Sequence, residues 1–301
     1  MLIVFTQVLI LFLFAAVGFL LAKLKLVASE HGKILSTLLL YVFFPANVFK
    51  TFARNCTVEY LSESWDLILA SLIVTTLVAI GSHFAVKLFI KEDYERRIAV
   101  YSFVVPNCGY VGYTLVEKLF GEAALMNTML FVIPISIYTY SIGFCLLTRK
   151  KLTPKKFLTP PIIAIVLGTA FALLSIPLPE FLSTALTSAG SCVGPVSMLL
   201  AGITVAQFKL KPLLLNRNAY IITLARLLLL PLLVAGVLTL IGLPDIAVVS
   251  VTALAMPCGL NTIVFPKLLG EDCKTGASLA LFSNVAACLT IPFVFYLVGL
   301  G

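Results

Sequence analysis

The sequence has little charge, and this excludes most soluble protein classes. Asp, Glu, Lys and Arg together make up 11% of its 301 residues, whereas soluble domains carry about 25%. Apolar residues account for 61% and the mean hydropathy is +1.12, which is typical of an integral membrane protein. A membrane helix needs about 20 apolar residues, so the chain has room for about ten helices and no soluble domain.

Histidines and acidic residues are also scarce, which excludes several kinds of active site. The only histidines, His31 and His83, lie in different segments, so a metal centre is not expected. The seven cysteines form no CxxC pair. The apolar segments contain no Asp pair or Ser/His couple for proteolysis, and the loops contain no nucleotide-binding glycine pattern. We therefore expect neither an enzyme nor a bound cofactor.

Apolar runs separated by charged or Pro/Gly-containing breaks predict an all-α membrane protein with ten transmembrane helices. Their approximate bounds are 2–22, 34–52, 67–90, 98–119, 122–147, 160–176, 181–207, 218–241, 245–268 and 275–299.

The basic residues predict how these helices are oriented. All but four of the 21 (Lys50, Arg54, Lys118 and Arg226) lie in the connections that follow odd-numbered spans. The positive-inside rule then places both termini on the non-cytoplasmic side and the basic linker on the cytoplasmic side. Because the net charge of +8 is dispersed over short loops, nucleic acid is not expected as a partner. The short loops suggest a bacterial inner membrane.

Short words recur in the two halves of the chain and predict a duplication. "EKLFGE" at 117–122 returns as "PKLLGE" at 266–271, and "LSTLLLYVFFP" in span two resembles "LSTALTSAGSCVGP" in span seven. We infer two five-helix repeats, residues 1–147 and 160–301, joined by a cytoplasmic linker at 148–159. Since each repeat has an odd number of spans, the two are inverted in the membrane.

Spans four and nine each contain a helix break. "VVPNCGYVGY" places a proline and two glycines inside span four, and "PCGLNT" is the matching break in span nine. Proline removes a backbone donor, and the freed polar groups must be satisfied by protein or by a water-filled cavity. Paired broken helices that cross at the midplane are typical of substrate sites in secondary transporters.

These segments resemble the auxin efflux carrier family, specifically its short bacterial members. "NCGYVGYTLVEKLFGEAAL" is similar to the family's Asn-x-Gly-x-x-Gly-x-Pro stretch, and "AMPCGLNTIVF" to its Pro-x-x-x-Asn break. The resemblance extends over the ten-span layout. It implies a scaffold part and a transport part whose crossing helices meet at Pro106 and Pro257, and an elevator-type motion that carries an anionic substrate.

The resemblance assigns the two crossover asparagines to Asn107 and Asn261. Thr114 stands where the family often has proline, and Cys108 and Cys258 stand where small or hydroxyl residues are common. The resemblance therefore predicts the fold more closely than it predicts the substrate.

The predicted substrate-binding residues come from both breaks and from the spans beside them. Asn47 and Ser191 are included because they lie near the prolines of spans two and seven, although interhelical packing is an equally good interpretation of both. The full set is Pro106, Asn107, Cys108, Gly109, Tyr110, Pro257, Cys258, Gly259, Asn261, Thr262, Asn47 and Ser191.

The chemistry of the spans favours an anion. Acidic residues of spans four and nine lie at the span ends, as Glu117, Glu122, Asp245 and Glu271 do, and coupling to sodium or protons usually requires a buried carboxylate. Arg226 and Lys50 are interpreted as snorkelling to the interface, with a countercharge role for Arg226 as the alternative.

Three functions stay open on the sequence alone. The leading hypothesis is a secondary carrier of small organic anions, such as dicarboxylates or auxin-like acids. The alternatives are a sodium-coupled organic-anion symporter of bile-acid-carrier-like design and a membrane sensor or scaffold whose carrier fold has lost turnover. The expected partners are the substrate anion and the lipid bilayer. A homodimer is common among elevator-type carriers, but no apolar stripe singles out an interface.

Overall fold

The structure is a computed structural model that describes residues 2–28, 31–150, 159–267 and 273–300. Within these ranges the regular structure is helical, and a single isolated antiparallel bridge joins Pro106 to Cys258. The helices are α1 Leu2–Lys23, α2 His31–Asn55, α3 Val58–Phe89, α4 Asp93–Val104, α5 Cys108–Thr148, α6 Pro160–Leu173, α7 Glu180–Ala206, α8 Leu210–Leu214, α9 Arg217–Leu240, α10 Pro244–Leu254, α11 Asn261–Lys267 and α12 Lys274–Leu297.

Seven of the described helices are long and apolar enough to cross a membrane: α1, α2, α3, α5, α7, α9 and α12. Two shorter helices, α6 and α10, are apolar as well. Large apolar side chains such as Leu88 and Leu240 project outward, with at least 80% of their surface exposed. An apolar outer surface of this extent is expected to contact lipid, so the chain is a multi-pass membrane protein.

Both helix interruptions predicted from the sequence are present. The first lies between α4, which ends at Val104, and α5, which begins at Cys108. Val105 is extended, with φ −107° and ψ 99°, because the ring of the following proline disfavours the helical conformation. The second separates α10, which ends at Leu254, from α11, which begins at Asn261.

A third interruption lies inside α5. Gly121 has φ 84° and ψ −176°, a conformation that favours glycine because a Cβ atom would clash with the backbone. Gly121 therefore divides α5 into residues 108–120 and 122–148. The first segment continues the chain beyond the first break, and the second is long enough to cross a membrane by itself.

Close helix packing at glycines organises the bundle. Helix α1 packs along α7, and α2 packs along α6. A Cβ atom on Gly18 would lie 2.2 Å from the Leu199 carbonyl oxygen, and one on Gly202 would lie 2.0 Å from the Ala15 carbonyl oxygen. Only glycine permits backbones to approach so closely in a membrane, so these positions hold α1 against α7.

Several helices contain a widened π-helical turn. These turns cover Leu39–Phe43 in α2, Cys108–Gly112 and Thr139–Gly143 in α5, and Ala225–Leu229 in α9. Such turns frequently mark functional sites. The first three contribute residues to the cavity described next, and the fourth carries Arg226.

Candidate functional site

The two breaks meet in the interior of the molecule. The Asn107 backbone N–H donates a hydrogen bond of 2.8 Å to the Pro257 carbonyl oxygen, next to the bridge between Pro106 and Cys258. Each break thus satisfies a backbone group of the other, as a non-helical backbone inside a bilayer requires.

A cavity of about 120 Å³ adjoins this crossing. It is far larger than the roughly 10–15 Å³ that one water needs and smaller than the roughly 300–1,000 Å³ typical of sites for drug-sized ligands. Its walls come from the first break, the second break, and helices α2, α5 and α6. The lining includes Phe44, Val48, Val105–Tyr110, Tyr113, Ser136, Thr139, Tyr140, Thr159, Pro161, Ile165 and Gly259–Asn261. The cavity is thus sized for a small molecule.

Asn107 is the polar group best placed to contact a ligand in this cavity. It is 6% exposed and lines the cavity. Its backbone carbonyl accepts hydrogen bonds from the N–H groups of Val111 and Gly112, at 3.1 and 3.3 Å. Its side-chain amide does not cap α5 and forms no hydrogen bond with the residues that the structure describes. The amide therefore has donors to offer a ligand.

Aromatic rings from α2 and from the start of α5 line the cavity beside the first break. The ring of Phe44 stacks on that of Tyr113, with centroids 5.6 Å apart, and meets the edge of Tyr110 at 6.2 Å. The absence of a side chain on Gly109 makes room for the same ring, because a Cβ atom there would lie 2.9 Å from Phe44 Cζ. Our sequence analysis missed Tyr113 and Phe44. Tyr113 follows Tyr110 at helical i,i+3 spacing, which was a usable signal.

The second break contributes fewer residues to the cavity than we predicted. Gly259 and Asn261 line it, whereas Pro257, Cys258 and Thr262 do not. Cys258 is fully buried and its N–H donates to Ser283 Oγ at 3.0 Å. Thr262 is also buried and donates to the Gly259 carbonyl oxygen at 3.0 Å. Cys258 and Thr262 thus stabilise the second break through hydrogen bonds on the side away from the cavity.

Three other predicted residues, Cys108, Ser191 and Asn47, have no side-chain polar group free toward the cavity. The Cys108 thiol, although at the cavity wall, donates to the Ala253 carbonyl oxygen at 3.1 Å. Ser191 is exposed and its hydroxyl donates to the Ser188 carbonyl oxygen at 2.7 Å. Asn47 is 1% exposed and faces Gly190 of α7, outside the cavity wall. Its amide has no partner among the described residues.

The snorkelling interpretation of Lys50 is wrong. Its side chain is 5% exposed and its ammonium lies 2.9 Å from Glu117 Oε1 and 4.0 Å from Glu122 Oε1. Arg54 lies 3.5 Å from Glu122. The C-terminal end of α2 is thus joined by ion pairs to the segments on both sides of Gly121. Local hydropathy did not reveal this, because the acidic partners are distant in the sequence.

The same correction applies to Arg226, which is fully buried rather than directed to the interface. Its Nε donates to the Ser102 carbonyl oxygen at 2.8 Å, and its Nη1 donates to the Leu254 carbonyl oxygen.

Among the residues that the structure describes, no cluster of His, Cys, Asp and Glu could hold a metal ion.

Comparison with known proteins places these features in a family. The family model described as "Membrane transport protein" matches residues 3–152 and again 144–295. A Rhizobium meliloti protein named "Putative malonate transporter" is 25% identical over 300 residues, covering 94% of this chain and 92% of that protein. An uncharacterized transporter of Methanocaldococcus jannaschii is 23% identical over 218 residues, covering 68% of this chain and 70% of that protein.

Proposed function

The chain belongs to the membrane transport protein family, that of the auxin efflux carriers, and from this premise we propose that it is a secondary carrier of small organic anions. Proteins of this family are transporters and not enzymes. The substrate class proposed is a short carboxylate, bound in the cavity at the crossing of the two breaks.

The observation that supports an anion is the unpaired amide of Asn107 in an otherwise neutral cavity. The residues described as lining it include no Asp or Glu, so a carboxylate would meet no like charge. An amide supplies two N–H donors, and hydrogen bonds to a charged acceptor are stronger than those to a neutral one. Phe44, Tyr110 and Tyr113 form an aromatic wall. In the proposed complex, the carbon skeleton of the carboxylate packs against this wall.

The size of the cavity favours the smaller of the acids considered. A volume of about 120 Å³ suits a two- to four-carbon acid better than a large aromatic one. The name of the Rhizobium meliloti relative points to a three-carbon dicarboxylate. Malonate and its monocarboxylate analogue propionate are therefore the first ligands to test.

We propose ten membrane crossings arranged as two inverted five-helix repeats, residues 1–147 and 160–301. The division of α5 at Gly121 supports separate fourth and fifth spans. The double family match, at 3–152 and 144–295, supports the duplication. Of the linker at 148–159, residues 151–158 lie outside the described ranges, as do residues 268–271 of the "PKLLGE" repeat word.

An elevator-type motion would move the crossing relative to α1, α2, α6 and α7. Small groups form part of the boundary between the two parts: a Cβ atom on Gly194 of α7 would lie 2.5 Å from Thr114 Cγ2. Ser197 of α7 donates to the Tyr110 carbonyl oxygen at 3.0 Å. The stacking of Phe44 on Tyr113 and the ion pair of Lys50 with Glu117 also cross this boundary, so the motion would have to break or rearrange them.

The proposed location is the cell membrane, with both termini on the non-cytoplasmic side. The distribution of basic residues supports this orientation. A membrane potential that is negative inside favours outward movement of an anion by about 2.3 kcal/mol per charge per 100 mV. Efflux is then the default direction of an uncoupled carrier. A homodimer is part of the proposal only by analogy with other elevator-type carriers.

Thermal stabilisation of the detergent-purified protein by a panel of carboxylates, with and without sodium, tests the proposal. A ligand that binds the folded state raises its unfolding temperature by mass action. We expect a short carboxylate to stabilise the protein without sodium. Stabilisation by sodium alone would instead favour the sodium-coupled symporter, and no response to any acid would contradict the anion carrier.

Asn107→Ala tests the site itself. We expect it to weaken carboxylate binding by about tenfold or more, since a hydrogen bond to a charged group contributes roughly 1.5–3 kcal/mol, and to reduce transport into proteoliposomes. Asn261→Ala is expected to have a smaller effect in the same direction, because the second break supplies less of the cavity wall than the first. Exposed Ser191→Ala is the control. Wild-type binding and transport by both asparagine variants would refute the site assignment.

A further inference from the structure

Arg226 is the largest fully buried side chain among the described residues. It lies on the π-helical turn Ala225–Leu229 of α9, behind the crossing and outside the cavity wall. A guanidinium remains charged at any physiological pH, and burying an unpaired charge is costly. A permanent charge at this depth therefore requires strong compensating interactions.

The compensation comes from the ends of two helices. Arg226 Nε donates to the Ser102 carbonyl oxygen, in the last turn of α4, and Nη1 donates to the Leu254 carbonyl oxygen, the last of α10. These are the half-helices that run into the first and second breaks. The last four carbonyls of a helix have no partner inside it. The Arg226 side chain supplies a hydrogen-bond donor to one such carbonyl of each of the two helices.

The positive charge of Arg226 is about equal in size to the negative charge of the two helix ends that it contacts. A helix C-terminus is equivalent to roughly −0.5 of an elementary charge, so the two ends together amount to roughly one negative charge beside the crossing. The guanidinium supplies one positive charge. The ion pairs among the described residues do not include Arg226, and its Nη2 has no hydrogen-bond partner there. The two helix ends are therefore its main compensation.

We propose that Arg226 is a positioning residue that sets the charge selectivity of the crossing. By neutralising the ends of α4 and α10, it removes the negative potential that an anion in the adjacent cavity would otherwise meet. This inference rests on the proposed function, since it concerns how an anion is accepted at that site. Arg226 then affects substrate binding through its charge and does not contact the substrate.

The proposal makes a quantitative distinction between ligands. A Coulombic interaction scales with the charge of the ligand, so removing the positive charge weakens binding of a dianion by about the square of the factor for a monoanion. Malonate and propionate have the same number of carbon atoms and differ by one carboxylate. A change in packing alone would weaken both by a similar factor.

The experiment compares dissociation constants of malonate and propionate at a pH where malonate is a dianion, for wild type, Arg226→Gln and Arg226→Lys. We expect Arg226→Gln to weaken propionate binding by about threefold and malonate binding by about tenfold. Arg226→Lys is expected to keep the wild-type ratio of the two constants. Ser283→Ala is the matched control, because it also removes a contact behind the second break but a neutral one. It should affect both acids equally.

Each outcome bears on one of the two proposals. Equal weakening of both acids by Arg226→Gln, or a change in the ratio of the malonate and propionate dissociation constants in folded Arg226→Lys, would overturn the role of Arg226. If the Gln variant does not fold, the Lys variant still decides, because a ratio that departs from the wild-type one while the charge is kept contradicts the inference. Failure of wild type to bind either acid would contradict the proposed function instead.

Discussion

The two breaks face each other at the crossing, yet the chain holds them differently. Val105–Tyr110, which cover the first break and the start of α5, all line the cavity. The second break lies deeper: Met256 and Cys258 are fully buried, and the Cys258 N–H is held by Ser283 of α12. The first break therefore supplies more of the cavity wall than the second, which contributes only Gly259–Asn261.

The segments beyond the breaks differ in the same sense. The helix after the first break carries Glu117 in its last turn, in an ion pair with buried Lys50 of α2. The helix after the second break ends at Lys267, which donates to the side-chain oxygen of Gln207, the residue after α7, at 3.0 Å in an exposed position. The segment after the first break is thus joined to α2 by an ion pair. The segment after the second break is joined to Gln207 by a hydrogen bond to a neutral amide.

The largest expected effect comes from breaking the charged contact. Glu117→Gln leaves the buried ammonium of Lys50 without its nearest partner. Removing one member of a buried pair costs about 3–5 kcal/mol, and we expect about 3 because Glu117 is 30% exposed and Glu122 Oε1 is 4.0 Å away. The unfolding temperature in detergent measures the loss.

A double variant and an exposed control sharpen this prediction. Replacing both partners, Lys50→Met with Glu117→Gln, should recover most of the stability because no charge is left buried alone. Lys118→Gln, at an exposed position of the same helix, should leave the unfolding temperature unchanged. A Glu117→Gln protein as stable as wild type would show that the pair does not hold α2 to α5.

The second effect compares two glycines, Gly109 at the cavity wall beside the first break and Gly276 packed against the helix that follows the second break. A Cβ atom on Gly276 would lie 2.2 Å from the Thr262 carbonyl oxygen, and one on Gly109 would lie 2.9 Å from the end of the Phe44 ring. Backbone cannot move aside as a ring can. Gly276→Ala should therefore destabilise the protein by about 1–3 kcal/mol, whereas Gly109→Ala should mainly weaken carboxylate binding.

The control for this pair is Gly236→Ala, since nothing lies within 4 Å of the added atom. Unfolding temperature and carboxylate affinity are measured on all three variants. If Gly109→Ala costs more stability than Gly276→Ala, the assignment of a binding role to the first break and a supporting role to the second is wrong.

The smallest effect is expected at the neutral contact of the second half. Gln207→Leu removes the acceptor of the Lys267 ammonium, but Lys267 is exposed and water can replace the amide. We expect a change in stability of less than about 0.5 kcal/mol. A loss comparable to that of Glu117→Gln, in the same thermal unfolding assay, would remove the contrast between the two halves.

Local chemistry made part of this structure predictable. Pro106 and Pro257 predict the breaks, because proline lacks a backbone N–H and disfavours the helical conformation of the residue before it. Asn107 and Gly109 lie at the cavity for the same local reason. Ser191, also selected for its distance from a proline, faces away, because sequence distance along a helix does not establish which side faces a neighbour.

The charged residues show where such reasoning fails. Lys50 and Arg226 were interpreted as snorkelling because each lies in an apolar sequence, and apolar sequence was equated with lipid. Their actual partners, Glu117 for Lys50 and the Ser102 carbonyl for Arg226, are 67 and 124 residues away. A buried charge is compensated by whatever the fold brings near it, and hydropathy contains no information about that.

The sequence by itself determined that this is a membrane protein, that its helices break at two places, and that the family is that of the auxin efflux carriers. These properties depend on composition and on short-range backbone sterics. The tertiary structure alone decided that the first break supplies more of the cavity wall than the second, that Ser283 holds the second break, and that Arg226 joins the ends of α4 and α10. Those outcomes depend on how helices rotate and pack, because contacts as distant as Cys108 with Ala253, 145 residues apart, form only when the whole bundle is assembled.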